Sequence, residues 1–212
     1  MKLPLFPLKS VFFPGDTVPL HIFEPRYKQL IQDCREEAIT FGIPVLYNNK
    51  LEYGTEVQLV EVVNTYDGGE MDVVCVARQV FKVVSFEPQM GGKLYPGGQV
   101  DLLEYDYICP SSYKAEVVQK IRKLYEIMEL PNISIDLAKY NSFVLAHKIG
   151  LSYEQEFDLL KIPREKDRLD FILNHLVTTI NVLSQVERAR KIIELNGHFK
   201  NFDPLDFKNI ET

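Results

Sequence analysis

The sequence predicts an α+β protein: a mostly antiparallel, partly closed barrel in the first half, then a helical bundle with a long carboxy-terminal helix. Two observations carry this. Short runs rich in β-branched residues, partly alternating, fill the first half; after Tyr105 the apolar residues recur at helical spacing instead. A third is the length, 212 residues, which suits one large domain or two small lobes sharing an interface.

The strand segments are Val57–Val63, Met71–Ala77, Val80–Phe86 and Gln99–Tyr105. Between the first two lies Tyr66-Asp67-Gly68-Gly69-Glu70, where Asp-Gly favours a tight hairpin turn and hence antiparallel pairing. A loop from Pro88 to Gly98 holds two Gly-Gly pairs and is expected to be mobile. One helix interrupts the strands: Tyr27, Leu30, Ile31, Cys34 and Ala38 share a face, and Pro25 suits the first helical position. Several short antiparallel strands in about 100 residues suggest a small barrel with that helix lying across it.

Residues 106–112 read as a linker that ends in a helix cap. Val117, Ile121, Leu124 and Met128 mark a first bundle helix, broken at Leu130-Pro131-Asn132. A second is expected over Ser134–Ile149, closed by Gly150, and a short third opens with the capping-box pair Ser152 and Gln155. Leu169, Ile172, Leu176, Ile180, Leu183 and Val186 line a long helix from Pro163 to about Leu195, stopped by Gly197. At 1.5 Å per residue it is on the order of 50 Å long, too long for shorter partners to cover. It must kink, reach the barrel, or present apolar surface to something else. The expected organisation is a barrel lobe over 1–105, a linker over 106–112, a helical lobe over 113–195 and an irregular tail over 196–212.

Charge excludes some functions. The net charge is −6, and residues 1–105 hold 9 Lys/Arg against 14 Asp/Glu, so the barrel half repels a phosphate backbone. The clusters Lys120/Arg122/Lys123 and Arg188/Arg190/Lys191 lie among glutamates or at a helix carboxyl end, where no phosphate is needed. The cysteines Cys34, Cys75 and Cys109 form no CxxC pair and no disulfide framework, which fits a reducing, cytoplasmic setting. No apolar run approaches membrane-spanning length, and the prolines Pro4 and Pro7 disrupt any signal-peptide helix.

The segments Leu3-Pro4-Leu5-Phe6-Pro7-Leu8, Phe13-Pro14-Gly15, Pro19-Leu20-His21-Ile22-Phe23-Glu24-Pro25-Arg26-Tyr27 and Phe41-Gly42-Ile43 together form a pattern. It resembles the amino-terminal, substrate-recognition domain of Lon proteases, a domain found also in free-standing bacterial proteins and within cereblon. Ala77-Arg78-Gln79-Val80-Phe81 looks like that family's Gly-Arg-x-Arg-Phe strand, with Ala77 and Val80 as departures. Leu145 through Leu160 and Asp167-Arg168-Leu169 resemble its helical lobe, so the likeness spans roughly residues 1–190. The resemblance implies a PUA-like pseudo-barrel, a following bundle, and recognition of unfolded or partner protein. The ATPase and peptidase modules of the full protease are not legible: Gly92-Lys93 is followed by Leu94, not by the Ser or Thr of a phosphate-binding loop.

Candidate chemistry is sparse. His21 with Glu24 could act as base and orienter, but crowding by prolines and aromatics favours a rigid strand-to-helix corner in which Glu24 caps the helix or pairs with Arg26. The motif residues Pro14, Gly15, His21, Phe23, Glu24, Pro25, Arg26 and Tyr27 are therefore read as structural. His21, His147, His175 and His198 are scattered, so neither a metal nor another cofactor is expected. Loop aromatics on a rigid scaffold commonly anchor peptides, which nominates Phe12, Tyr47, Tyr66 and Tyr95 as a polypeptide-binding surface, with Phe13 and Tyr53 nearby. The expected site is the groove between barrel and bundle, walled by the 88–98 loop.

The expectation is a non-catalytic module that captures exposed apolar segments or docks onto a protease or chaperone, without membrane contact. RNA binding by a PUA-like barrel is the alternative, disfavoured by charge. A hydrolase using His21 or a cysteine comes third.

Overall fold

A computed structural model describes residues 1–131 and 133–200, with side chains to Leu195. The chain order is β1 (Lys2–Pro4), β2 (Thr17–Ile22), α1 (Pro25–Glu37), β3 (Phe41–Tyr47), β4 (Lys50–Thr65), β5 (Met71–Glu87), β6 (Gly97–Leu102), α2 (Ser111–Ile127), a 3-10 turn (Ala146–Lys148), α3 (Tyr153–Leu160) and α4 (Glu165–Lys200).

The six strands form one antiparallel sheet in the order β1-β6-β5-β4-β3, and β2 adds to the first half of β5. Parallel bridges from Leu5 to Gly42 and from Leu8 to Val45 bring the chain after β1 onto β3 and close the barrel. Gly42 permits that closure: a Cβ there would stand 2.7 Å from the Phe81 ring and 2.9 Å from Leu5. The β4–β5 hairpin turns at Tyr66–Glu70, where Gly69 donates to the Tyr66 carbonyl and adopts φ +72°. This is a type I turn with a left-handed glycine after it, so the special backbone falls on Gly69 and not on Asp67-Gly68.

Two expected strands, Met71–Ala77 and Val80–Phe86, are one strand, β5. Arg78 and Gln79 continue it through a register shift opposite Thr55–Val57. Packed on the barrel, α1 begins at Pro25 as expected and seals Tyr27, Leu30, Ile31 and Cys34.

In the second lobe the expected helix over Ser134–Ile149 is replaced by turns and one 3-10 turn. Local polar groups outcompete the helix ladder there: Asp136 accepts from the Ala138 N–H, Asn141 from Phe143, and Glu165 of α4 from Ser142. The capping box at Ser152 and Gln155 forms at α3. The backbone of α4 runs through Gly197 to Lys200, since one glycine in a long ladder costs only about 1 kcal/mol. The rest of the expected tail, 201–212, lies outside the described residues.

One apolar cluster spans both lobes. Val11, Phe13, Val45 and Val80 of the barrel pack with Val117, Ile121, Phe143, Phe157 and Leu169 of the bundle. A second cluster fills the space between barrel and α1. No helix among the described residues is long and apolar enough to cross a membrane.

Candidate functional site

The motif from Pro19 to Tyr27 makes a corner: β2 ends at Ile22, Phe23 and Glu24 turn the chain, and Pro25 starts α1. Alternation along β2 sends Val18 and Ile22 inward and leaves His21 outward. Its cross-strand partner on β5 is Asp72. His21 Nδ1 lies 2.7 Å from Asp72 Oδ1, and Tyr66, in the turn after β4, donates from its hydroxyl to Asp72 Oδ2 at 2.6 Å. Both carboxylate oxygens are thus engaged. The hydrogen bond from Tyr66 first, and that from His21 second, hold the Asp72 carboxyl below its ordinary range. An ionised carboxylate only accepts, so in this hydrogen bond Nδ1 of His21 is the donor.

Phe23 completes the group. Its ring is 6.1 Å from His21, which also meets Tyr66 edge-on at 6.0 Å. Phe23 is 58% exposed and Tyr66 43%. The hairpin tip is tied down as well, because Lys28 of α1 donates to the Gly68 carbonyl at 2.9 Å. Beside the rim, Arg26 pairs with Glu24 at 2.7 Å and lies over the buried Tyr27 ring. Glu24 makes no side-chain cap to α1, so of its two expected roles it takes the pairing with Arg26. The corner thus holds an exposed trio, Phe23, His21 and Tyr66, in which one carboxylate buttresses His21 and Tyr66.

The remaining candidates lie elsewhere. Pro14 and Gly15 form a turn in which Gly15 adopts φ +97° and Asp16 donates back to the Phe13 carbonyl. Phe12 is half-buried against the α1 side of the barrel, and Phe13 is sealed, stacked on Phe143 at 5.0 Å. Tyr47 and Tyr53 pack on Phe157 of α3.

Tyr95 is not surface: it is 2% exposed, and its hydroxyl donates to Asp33 of α1 at 2.7 Å. The 88–98 loop goes with it. Lys93 pairs with Asp33 at 2.8 Å and the Leu94 N–H donates to Gln29, so the loop packs on α1 and does not wall the interlobe groove. That groove is largely filled by the shared apolar cluster. What remains is a shallow polar recess at its rim, where His147 bridges Asp16 of the barrel at 3.0 Å and Glu156 of α3 at 2.7 Å.

Nucleophilic chemistry finds little support. Cys34 and Cys75 are buried, and burial pushes both thiols up to about 12, which keeps them protonated at neutral pH. Asp72 is the one hydrogen-bond partner of the His21 ring among the described residues. The basic side chains Lys123, Arg190 and Lys191 are paired with Glu126, Glu194 and Glu187 along their own helices. Asp72 and the half-buried bridge His147 escaped sequence reasoning. His21 is 51 residues from Asp72 and Asp16 is 131 from His147, separations that only strand register or lobe packing closes.

A family model described as the ATP-dependent protease La (LON) substrate-binding domain matches residues 2–178. Among solved structures, a Lon N-terminal domain protein from Xanthomonas campestris is similar, with TM-score 0.64 and 26% identity over 82% of this chain and 98% of that one. The N-terminal domain of a Mycobacterium avium complex Lon protease has the same fold, with TM-score 0.64 and 13% identity over 84% of this chain and 98% of that one.

Proposed function

Because this chain belongs to the LON substrate-binding domain family, we propose that it is a non-catalytic protein-binding module that captures exposed apolar segments of unfolded or partner polypeptides. The observation that carries the reading is the exposed pair Phe23 and Tyr66 on either flank of His21, with Tyr66 and His21 both held by Asp72. Exposed aromatics ordinarily lose rotamer freedom on binding; the hydrogen bond that already holds Tyr66 to Asp72 reduces that cost for Tyr66. Phe, Tyr and Arg are also residue types enriched at interfaces, and Arg26 stands at the edge of the group. Among the described residues the neighbouring strand β2 has a strand partner, β5, on one side only, so its other edge could offer main-chain groups to an extended segment, interrupted at Pro19. Apolar anchors with main-chain pairing give weak sequence preference, which suits a receptor for many polypeptides, alone or beside a protease or chaperone.

The test is fluorescence anisotropy with labelled, reduced casein, against a folded protein and against single-stranded RNA. Phe23→Ala with Tyr66→Ala is expected to weaken casein binding by about tenfold or more, as loss of interface anchors does. Unchanged binding by the double variant removes this site. Salt-sensitive binding of RNA in place of casein removes the reading itself.

A further inference from the structure

Strand β4 outruns its neighbour: β3 accompanies it only as far as the pairing of Phe41 with Val57. From Gln58 to Thr65 its one strand partner among the described residues is β5, so the opposite edge presents backbone N–H and C=O groups with no strand beside them. Such an edge is a template for any extended chain that fits, and proteins ordinarily cover or blunt it. Here it forms one wall of a groove of about 430 Å³, within the range of ligand sites. The carboxyl end of α1 forms the other wall.

Strand register explains how the groove is built. Leu59 and Val62 stand across from Cys75 and Val73, which are buried in the cluster beneath α1, so these two face the helix. Gln58 and Glu61 stand across from Val76 and Val74 and face the opposite way. All residues from Gln58 to Val62 nevertheless line the groove. Side chains from both faces of a strand share one cleft only where the backbone edge itself is the wall. Opposite that edge, Ala38 and Ile39 leave α1 and join Leu59 and Val62 in an apolar floor. Arg35, exposed and without an ion pair among the described residues, supplies the charge on the helix wall. The two walls are tied together, because Lys28 of α1 holds the hairpin tip through the Gly68 carbonyl.

We propose that this groove is a second peptide-binding site, which takes a short extended segment as an added strand on β4, with apolar side chains toward α1 and an acidic one against Arg35. Every second side chain of an added strand faces the helix, so the preferred segment alternates. The form of the edge selects the occupant. Val60 and Val63 are extra residues on β4 with no partner on β5, and bulges of this kind bend and twist a strand. A bent edge defeats the long, flat pairing that would join the sheets of two copies, whereas a segment of a few residues follows the bend. The proposal rests on the reading of the chain as a polypeptide binder, but not on Phe23 or Tyr66.

The probe is the capped peptide Asp-Thr-Val-Thr-Val-Thr-Asp, whose Asp and Val side chains share one face and which reads the same in either direction. It is titrated to about 2 mM, a range that covers weak binding, into the isotopically labelled full chain and followed by two-dimensional NMR. The amide signals of Gln58–Val62 and Arg35–Ile39 are expected to shift, and to shift equally in a chain carrying Phe23→Ala with Tyr66→Ala. N-methylation of the Val residues and N-methylation of the Thr residues should have opposite results. One set of N–H groups faces β4 and its loss abolishes binding; the other faces solvent and its loss is tolerated. Arg35→Glu alters an exposed position, so it should keep the wild-type circular dichroism while weakening binding about tenfold and favouring a peptide with Lys in place of Asp. An absence of shifts at Gln58–Val62, or equal sensitivity to both methylation patterns, overturns the proposal. Shifts confined to Phe23 and Tyr66 also overturn it and leave the corner standing. A chain that binds neither this peptide nor casein fails both readings.

Discussion

Arg168 and Glu165 meet at 2.7 Å, and both side chains are completely sealed from solvent. The guanidinium also donates to Ser142 and to the carbonyls of Asp106, Ile162 and Pro163, with Tyr105, Tyr107 and Phe143 around it. One side chain thereby ties the interlobe linker, the turn-rich segment and the start of α4.

Replacing Arg168 with Ala is expected to destabilise the protein by about 3–5 kcal/mol, because Glu165 is left buried without a partner. The apolar pair Arg168→Met with Glu165→Leu should not restore stability, since the carbonyls of Asp106 and Ile162 and the Ser142 N–H would still lack partners. Urea unfolding followed by circular dichroism measures both.

His147 gives stability a pH dependence. The Asp16 carboxylate chiefly, joined by Glu156 and opposed by desolvation, raises its pKa from the ordinary 6.5 to about 9. A raised folded-state pKa stabilises fully below the unfolded value and loses that contribution as pH rises through the folded one. The urea midpoint should therefore decline from about pH 6.5 to beyond about pH 9. His147→Gln should flatten that slope, and a slope unaltered by the substitution would assign it to another group.

Two tyrosines nominated alike should behave in opposite ways. Tyr95→Phe removes a donor from the buried Asp33 carboxylate and should cost about 1.5–3 kcal/mol of stability, the range for hydrogen bonds to charged groups. Tyr66→Ala should shift the melting temperature little and instead weaken polypeptide binding. Thermal melts and casein titrations of the two variants distinguish these roles.

Thiol labelling separates the cysteines. With iodoacetamide at neutral pH, Cys109 is partly exposed and should react first, while Cys34 and Cys75 stay protected until urea unfolds the chain. Fast native labelling of Cys75 would contradict its burial. Mass spectrometry reads the modified positions.

Parts of β4, β5 and β6, with α1 and the long final helix, are legible because period and β-branching report burial on a regular element; β1, β2 and β3, short or carrying Pro4, Pro19 and Pro44, are not. The segment from Ser134 to Ile149 was not, although its apolar spacing suits a helix. Asp136 and Asn141 satisfy nearby N–H groups in competing turns, and Glu165, 23 residues from Ser142, takes another N–H. The 88–98 loop misled in a similar way. Its glycines suggest mobility, but Lys93, Leu94 and Tyr95 between them bind α1 at Asp33 and Gln29. Of the rim, Phe23, His21 and Tyr66 could be nominated from sequence as motif or loop aromatics. Their assembly could not, because it depends on the register that sets His21 across from Asp72.

Phe13 of the barrel stacks on Phe143 of the bundle inside the cluster that the two lobes share. A module whose halves complete each other's interior is indivisible in heredity as well as in folding. Recombination that severed it near residue 105 would leave two fragments with raw apolar faces, each a ready target for degradation.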